Sequence, residues 1–431
     1  MVPVMKPDLS IAVIGAGMAG LTAGLELSRA GYPVTIFEAR ERSGGRIHSI
    51  HYGEHVLETG PEFIHGHLRE TLRLLKKYNI TYVPVRGKMY HAKNGKLDTQ
   101  EEMIEGWDIM LKKMNSLKDD MSFRVFLDLH FPESSFTALR QSARRFAEGF
   151  DLANTEEAST RALAMEWNHG ESEQYLIPVG YSSLTDAMED EFRSLGGKVF
   201  FNCPVREING QPDSIRIWTD TSEYTARYGI ITVSLSSFHS KRREQPSLIV
   251  TPEDPEMKMA MEKIGFGTVV KVLLVCTHSF WEEKAPDALF FFSDFFFPTW
   301  WTGNHTGLSQ LTGWLGGPAA EKFSLQPDSF FRDKALESLS EIFSLPTSML
   351  QRFIKDIRVF NWSGVPWTYG GYSYARPGYR EAKSFLRKPL LDKIFLAGEA
   401  TYDGPHPGTV EAALISGQLV AEKLLIKLKE N

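Results

Sequence analysis

Gly15, Gly17 and Gly20, in the run Gly15-Ala16-Gly17-Met18-Ala19-Gly20, have the spacing that receives a dinucleotide pyrophosphate. Each glycine has its own task. Gly15 makes the tight turn out of a strand, Gly17 lets phosphates approach the backbone, and Gly20 lets the next helix pack against the strand. That helix start offers free N–H groups and the positive end of the helix dipole. Glu38 follows 23 residues after Gly15, where a carboxylate can accept hydrogen bonds from a ribose. A glycine-rich turn with no ligand is the plain alternative. The strand before the glycines, the helix after them and the acid closing the next strand argue against it. Spacing alone does not separate NAD from FAD.

Lys271 stands alone in TVVKVLLV (residues 268–275), a strand otherwise apolar on both faces. An ammonium buried there costs free energy unless it is paired or used. It could instead guard a sheet edge, or pack its stem and reach water; the pattern leaves these open. Trp362, Trp367, Tyr372 and Tyr374 crowd a glycine-containing stretch that reads either as packed loop or as the wall of a site. The run Gly60-Pro61-Glu62-Phe63-Ile64-His65-Gly66 offers an acid and a histidine; a lone histidine is more often structural.

The elements that must position these residues follow from periodicity. Residues 10–14 and 34–37 read as buried strands around a helix over 21–30, ended by Gly31 and Pro33: one βαβ unit. From Leu68 to about Arg161 the pattern is helical and charged. A helix over 182–195 precedes strands at 198–201, 214–219 and 229–233. The strand at 268–275 leads to the aromatic run FFFSDFFFPTWW (290–301), then come a helix over 329–343, a strand over 393–397 and a terminal helix over 409–429. A length of 431 residues exceeds one ordinary core. The aromatic run is too short and too interrupted by Asp294 and Pro298 to span a bilayer. A net charge of −6 gives no general attraction to nucleic acid or an anionic membrane. Cys203 and Cys276 belong to no CxxC pair, so the reading is two buried reduced thiols, no metal site and a cytoplasmic protein without a secretion signal.

Two further segments bear on the cofactor. The stretch Glu38-Ala39-Arg40-Glu41-Arg42-Ser43-Gly44-Gly45-Arg46 resembles the EARxRxGGR run of flavin-containing amine oxidases, the superfamily of monoamine, polyamine and L-amino-acid oxidases and histone lysine demethylases. Leu396-Ala397-Gly398-Glu399-Ala400-Thr401 and Gly408-Thr409-Val410-Glu411 resemble its second flavin segment. The resemblance covers nearly the whole chain. It implies FAD held by the glycine loop (Gly15 to Gly20), Glu38, Ala39, Arg40, Gly45, Arg46 at the pyrophosphate, Gly60, Pro61, Glu62, Phe63, Val205 at the adenine, Trp362, Gly398, Glu399 near the ribityl or phosphate region, Thr409 and Val410. The terminal helix start would face the flavin pyrimidine and stabilise negative charge on reduced flavin. Lys271, followed by Phe280-Trp281 as in the family, is implied to hold a water against flavin N5 and to serve the oxygen reaction. Tyr372 is implied as one wall of an amine cage. The opposite wall, aromatic in monoamine oxidases, is Thr409 here, a departure that leaves room for a bulkier or secondary amine. The segment 60–66 resembles GAxWIHG of polyamine oxidases, which implies substrate contact for Phe63 and His65; Tyr374, His406 and Arg376 are further polar candidates.

The expected fold is α/β: an FAD-binding Rossmann-like domain of glutathione-reductase type (residues 1–67, 178–265 and 390–431) with an inserted mixed sheet-plus-helix substrate domain (68–177 and 266–389). The expected reaction is hydride transfer from the carbon next to an amine nitrogen to non-covalent FAD, imine hydrolysis, and reoxidation by O2 to hydrogen peroxide. The partners are then a small-molecule amine and O2, with no nucleic acid or membrane; a homo-oligomer is left open. A flavin desaturase of apolar substrates and a catalytically silent FAD-bound binding protein are the alternatives.

Overall fold

Four consecutive apolar residues, Ile11–Ile14, are all buried and form the middle strand of a five-stranded sheet. Its order is Lys198–Phe200, Val34–Phe37, Ile11–Ile14, Tyr228–Ile231, Ile394–Leu396, and every pairing is parallel. Continuous apolar runs suit strands covered on both faces. One cover is the helix Met18–Arg29, packed against the terminal helix Val410–Glu430 and against Ser182–Ser194. The computed structural model describes residues 9–93, 95–99, 106–170, 173–238, 247–303 and 307–430.

A second, four-stranded sheet runs Glu223–Ala226, Ile215–Thr219, Val205–Gly210, Ile249–Thr251. The largest sheet has seven strands, in the order Ile354–Asn361, Val269–Cys276, Gln310–Gly316, Thr299–Thr302, Ala288–Ser293, Lys88–Lys93, Lys96–Thr99. Its pairings are antiparallel except that of Ala288–Ser293 with Lys88–Lys93. One face buries Val270, Val272, Leu274, Phe291 and Trp300 against the helix Asp328–Phe343. The helices Trp107–Asn115, Phe123–His130, Thr137–Gly149 and Thr160–Trp167 form a separate apolar cluster. Two of these are capped by serine: Ser122 accepts from Val125 N, and Ser159 from Ala162 N.

The helical reading of residues 68–161 needs one correction. Val83–Val85, Lys88–Lys93 and Lys96–Thr99 are strands. From Met89 to Lys93 the period is two: Tyr90 and Ala92 are buried, while Met89 and His91 are half-buried and Lys93 is exposed. Flanking lysines give such a short segment a helix-like charge pattern, and pairing to the distant Ala288–Ser293 decides the outcome.

The helix Arg69–Lys77 begins after Leu68, which has no side chain to cap it. Glu411, buried at the start of the terminal helix, supplies the cap across the fold. Its Oε1 accepts from Glu70 N at 2.9 Å, and its Oε2 accepts from Thr71 N and Thr71 Oγ1, both at 2.7 Å. Replacing Glu411 with Ala strands these buried donors at a cost of about 2 kcal/mol. Thermal unfolding of the variant should show a midpoint about 2 °C below wild type; an unchanged midpoint would mean the cap contributes nothing.

Candidate active site

The glycine loop takes the shape that its spacing demands. Gly15 has a φ of +106°, and a Cβ on Gly20 would lie 2.0 Å from Gly15 O. Both glycines are therefore required by the protein itself. Gly17 is different: a Cβ there meets nothing nearer than Gly44 O at 4.0 Å. The protein leaves space at Gly17, next to a helix start that carries no side-chain cap. Uncapped N–H groups beside open space fit a pyrophosphate. Ala16, Met18 and Ala19 are buried around the same turn. Glu38, also buried, accepts from Ala16 N at 2.8 Å and from Arg40 N at 3.0 Å. Each carboxylate oxygen keeps a lone pair for a ribose hydroxyl. These residues fit a bound dinucleotide.

The basic run after Glu38 is held by backbone carbonyls. Ala39 is half-buried between Glu38 and Arg40. Arg40 donates to Gly45 O and Pro366 O, both at 3.0 Å, and to Thr368 Oγ1. Burial lowers the pKa of Arg40, and burial followed by the Arg40 charge lowers that of Arg42 to about 10. Arg46 donates to Gly371 O at 2.7 Å and to Glu399 Oε1 at 2.9 Å. Glu399, next to Gly398, also accepts from Ser373 Oγ at 2.6 Å. Arg46 and Glu399, far apart in sequence, thus form one unit beside Tyr372. Val205 opens a strand and is buried with Ile14 and Phe37. Trp362 donates from Nε1 to Thr59 O at 2.9 Å. Thr409 is a helix cap: its hydroxyl donates to His406 O at 2.7 Å and accepts from Ala412 N at 3.1 Å, with Val410 the first helical residue.

Lys271 has no solvent exposure. Its strand pairs on both sides, so it guards no edge, and its amine does not reach water. The ammonium donates to Glu62 Oε2 at 2.7 Å and to Gly60 O at 3.3 Å, and lies 5.3 Å from the centre of the Trp301 ring. Glu62 follows the half-buried Pro61 in the segment that delivers it. A Cβ on Gly60 would stand 1.9 Å from Arg46 O, so only glycine lets that segment pass. Glu58 lies nearby; burial raises its pKa to about 7, against Tyr181 N–H and the Lys271 charge.

His65 is exposed, yet burial and the neighbouring His406 lower its pKa. Accessible surface in dense surroundings is what a group lining an internal cleft shows. Phe63, on the same strand, packs edge-on against Trp301 and tilted against Phe290, with ring centres 5.8 and 5.9 Å away. Tyr372 donates its hydroxyl to Phe150 O, and burial raises its pKa well above the usual value. Tyr374 donates to Glu157, which also receives Arg376 Nη2 at 2.6 Å; Arg376 Nη1 donates to Glu262 O. Tyr374 and Arg376 are therefore committed to Glu157.

A group of acids was not legible in the sequence. Asp151, Glu166 and Lys383 line a cavity of about 30 Å³ with Tyr372, Tyr379 and Gly408. Burial raises the Asp151 pKa to about 7; burial and the Asp151 charge raise that of Glu166 well above the carboxylate range. Burial lowers the pKa of Lys383, whose ammonium donates to Tyr402 O. No periodicity or motif sets these residues apart, because they meet only through the fold. Among the described residues no cluster of His, Cys, Asp and Glu could hold a metal ion, and no helix is long and apolar enough to cross a membrane.

Comparison with known proteins converges on one family. The family of flavin containing amine oxidoreductases matches residues 18–425. Lysine-specific histone demethylase 1 homolog 2 of Oryza sativa subsp. japonica is 26% identical over 96% of this chain and 57% of that protein. The chain spans little more than half the length of that relative. The fold is shared with a putrescine oxidase bound to putrescine, at a TM-score of 0.82 and 18% identity over 97% of this chain and 99% of that one. It is shared too with cyclohexylamine oxidase of Brevibacterium oxydans IH-35A, at a TM-score of 0.77 and 18% identity over 97% of this chain and 100% of that one. The α/β expectation holds, and the chain belongs to the flavin-containing amine oxidoreductase family.

Proposed function

We propose that this chain is an FAD-dependent oxidase of small organic amines. The observation that carries the reading is the fully buried Lys271, paired with Glu62 on the segment that also presents Phe63 and His65. Bound FAD would supply the two-electron acceptor, taking hydride from the carbon next to nitrogen and passing the electrons to O2 as hydrogen peroxide. Arg46, Glu399, Glu38 and the glycine loop would hold it. The protein's part is position, water exclusion and charge. Tyr372, Phe63 and His65 orient the amine in its neutral form, since a buried ammonium beside Lys271 would be repelled. After hydride loss the C=N product is released and hydrolysed by water. Lys271 has three N–H donors. Two are spent on Glu62 and Gly60 O, and the third serves a water or oxygen.

Each cation in the neighbourhood is held by an acid or a carbonyl, with only the buried Nε of Arg376 left without a partner among the described residues. Arg376 is held by Glu157, Lys271 by Glu62, Arg46 by Glu399 and Lys383 by Tyr402 O. A substrate carboxylate entering a desolvated site needs a paired cation. An uncharged-tail or polyamine-type amine suits this surface better than an α-amino acid.

The flavin is non-covalent in this proposal. Gly371 precedes Tyr372, and both cysteines are buried free thiols, with burial pushing Cys276 up to about 12. Acid precipitation of the yellow protein should leave the colour in the supernatant; a yellow pellet contradicts this.

Lys271→Met should slow flavin reoxidation by oxygen more than anaerobic flavin reduction. Because Met leaves Glu62 without its cation, the double variant Lys271→Met/Glu62→Gln is the cleaner measurement. Stopped-flow rates equal to wild type in both half-reactions would make Lys271 purely structural.

Anaerobic flavin bleaching by a panel of primary amines and polyamines should outpace bleaching by L- and D-amino acids at equal concentration. Fast bleaching by an amino acid alone, abolished in Arg376→Ala, would assign the opposite substrate class.

A further inference from the structure

Tyr372 is tethered at its far end: its hydroxyl donates to Phe150 O. The next residue along the chain is Asp151, whose Oδ2 accepts from Trp167 Nε1 at 2.9 Å. Trp167 closes the helix Thr160–Trp167, and the residue before it is Glu166. Asp151 and Glu166 thus face one cavity of about 30 Å³, with Tyr372 in its wall. That is room for about one or two waters, too few to hydrate two carboxylates. Like charges in such a space repel, so the pair keeps a proton that separate carboxyls would lose. Burial raises Asp151 to about 7, and burial with the Asp151 charge holds Glu166 well above the carboxylate range.

Other charged groups face the pair from each neighbouring element. The helix Tyr379–Leu386 brings Tyr379 and Lys383 to the cavity; Lys383 favours ionised Glu166, but it gives its ammonium to Tyr402 O and is also acted on by Glu399 and Asp403. The strand Ser373–Ala375 brings Tyr374, which is held by Glu157 together with Arg376. His406 adjoins Pro407 at the cavity, 6.5 Å from the ring of His169, three residues beyond Glu166. We propose that Asp151 and Glu166 are positioning residues that share a proton and through it set the place of Tyr372 in the amine site. When both carboxyls ionise, their repulsion displaces Asp151, and the adjoining Phe150 carbonyl carries the Tyr372 hydroxyl with it. This rests on the amine-oxidase reading, in which Tyr372 is a wall for the amine.

The test is the pH dependence of heptylamine binding, measured by anaerobic calorimetry on the flavin-reduced holoprotein, where no turnover occurs. Wild type is compared with Asp151→Asn/Glu166→Gln, which keeps an acceptor for Trp167 Nε1 and cannot ionise. The neutral fraction of heptylamine changes equally for both proteins, so the ratio of their dissociation constants isolates the pair. As pH climbs above about 7, wild type should lose about fivefold in affinity relative to the variant, the net effect of one hydrogen bond. In a Tyr372→Phe background the tether to Phe150 O is gone, and the same ratio should stay constant with pH. Infrared spectra at acid pH should show a protonated carboxyl in wild type that the double variant lacks. Should the double variant fail to fold, Glu166→Gln alone removes the repulsion and should give the same shift. A ratio independent of pH, or a shift that persists with Tyr372→Phe, would overturn the inference, as would wild type that binds no heptylamine at any pH. Should the ratio shift as expected while no amine bleaches the oxidised flavin, the positioning role stands and the oxidase reading fails.

Discussion

An ammonium with no solvent exposure cannot stay unpaired, and the Lys271–Glu62 contact at 2.7 Å answers that demand. Breaking such a pair by removing one partner costs about 3–5 kcal/mol. The contact therefore fixes more than a lysine. It obliges the segment around Gly60 to run against the strand Val269–Cys276, which belongs to a different sheet. Only glycine at position 60 permits that path, because Arg46 O occupies the place of a Cβ. Glu58, two residues earlier in the same segment, is buried close enough for the Lys271 charge to act on its carboxyl. One cation thus organises two acids and the strand Phe63–His65 that follows them.

The same path carries order toward the glycine loop. Arg46, whose carbonyl packs on Gly60, sends its guanidinium to Gly371 O and Glu399. Glu399 receives the Ser373 hydroxyl, so the segment bearing Tyr372 is tied to the segment leading to the terminal helix. That helix begins at a Thr409 cap and sends Glu411 back to cap the helix Arg69–Lys77. Each step is a charge or a stranded backbone group that needs a partner. Apart from the local Thr409 cap, the partner comes from a remote part of the chain.

This explains what could be read from the sequence and what could not. The glycine loop and Glu38 were legible because their geometry is local: a turn, a helix start and the end of the next strand. Lys271 was conspicuous because a lone charge breaks an apolar run, but its partner could not be named. Glu62 lies 209 residues away, and nothing in its neighbours announces the pairing. Asp151 and Glu166 were invisible for the same reason. Thr409 looked like a one-sided cage wall; its hydroxyl is a helix cap. Arg376 stood open as a polar candidate until the fold supplied Glu157. The short strands at 83–99 were hidden by lysines whose pattern suits a charged helix as well as a sheet edge.

The aromatic run at 290–301 shows how one stretch can serve packing and chemistry together. On the two strands it contributes, side chains alternate between faces. Phe291 and Trp300 are fully buried against the helix Asp328–Phe343 and hold the sheet together. Phe290 and Trp301 point the other way, toward Phe63 and Lys271. A shift of one residue in either strand would exchange the two sets. The core could still bury aromatic rings after such a slip, since both faces would receive them. The Lys271 face could not tolerate it, because Trp301 and Phe290 would turn away from the ammonium and from the Phe63 ring that they meet. The register is thus constrained from the Lys271 face, where Trp301 meets both the ammonium and the Phe63 ring.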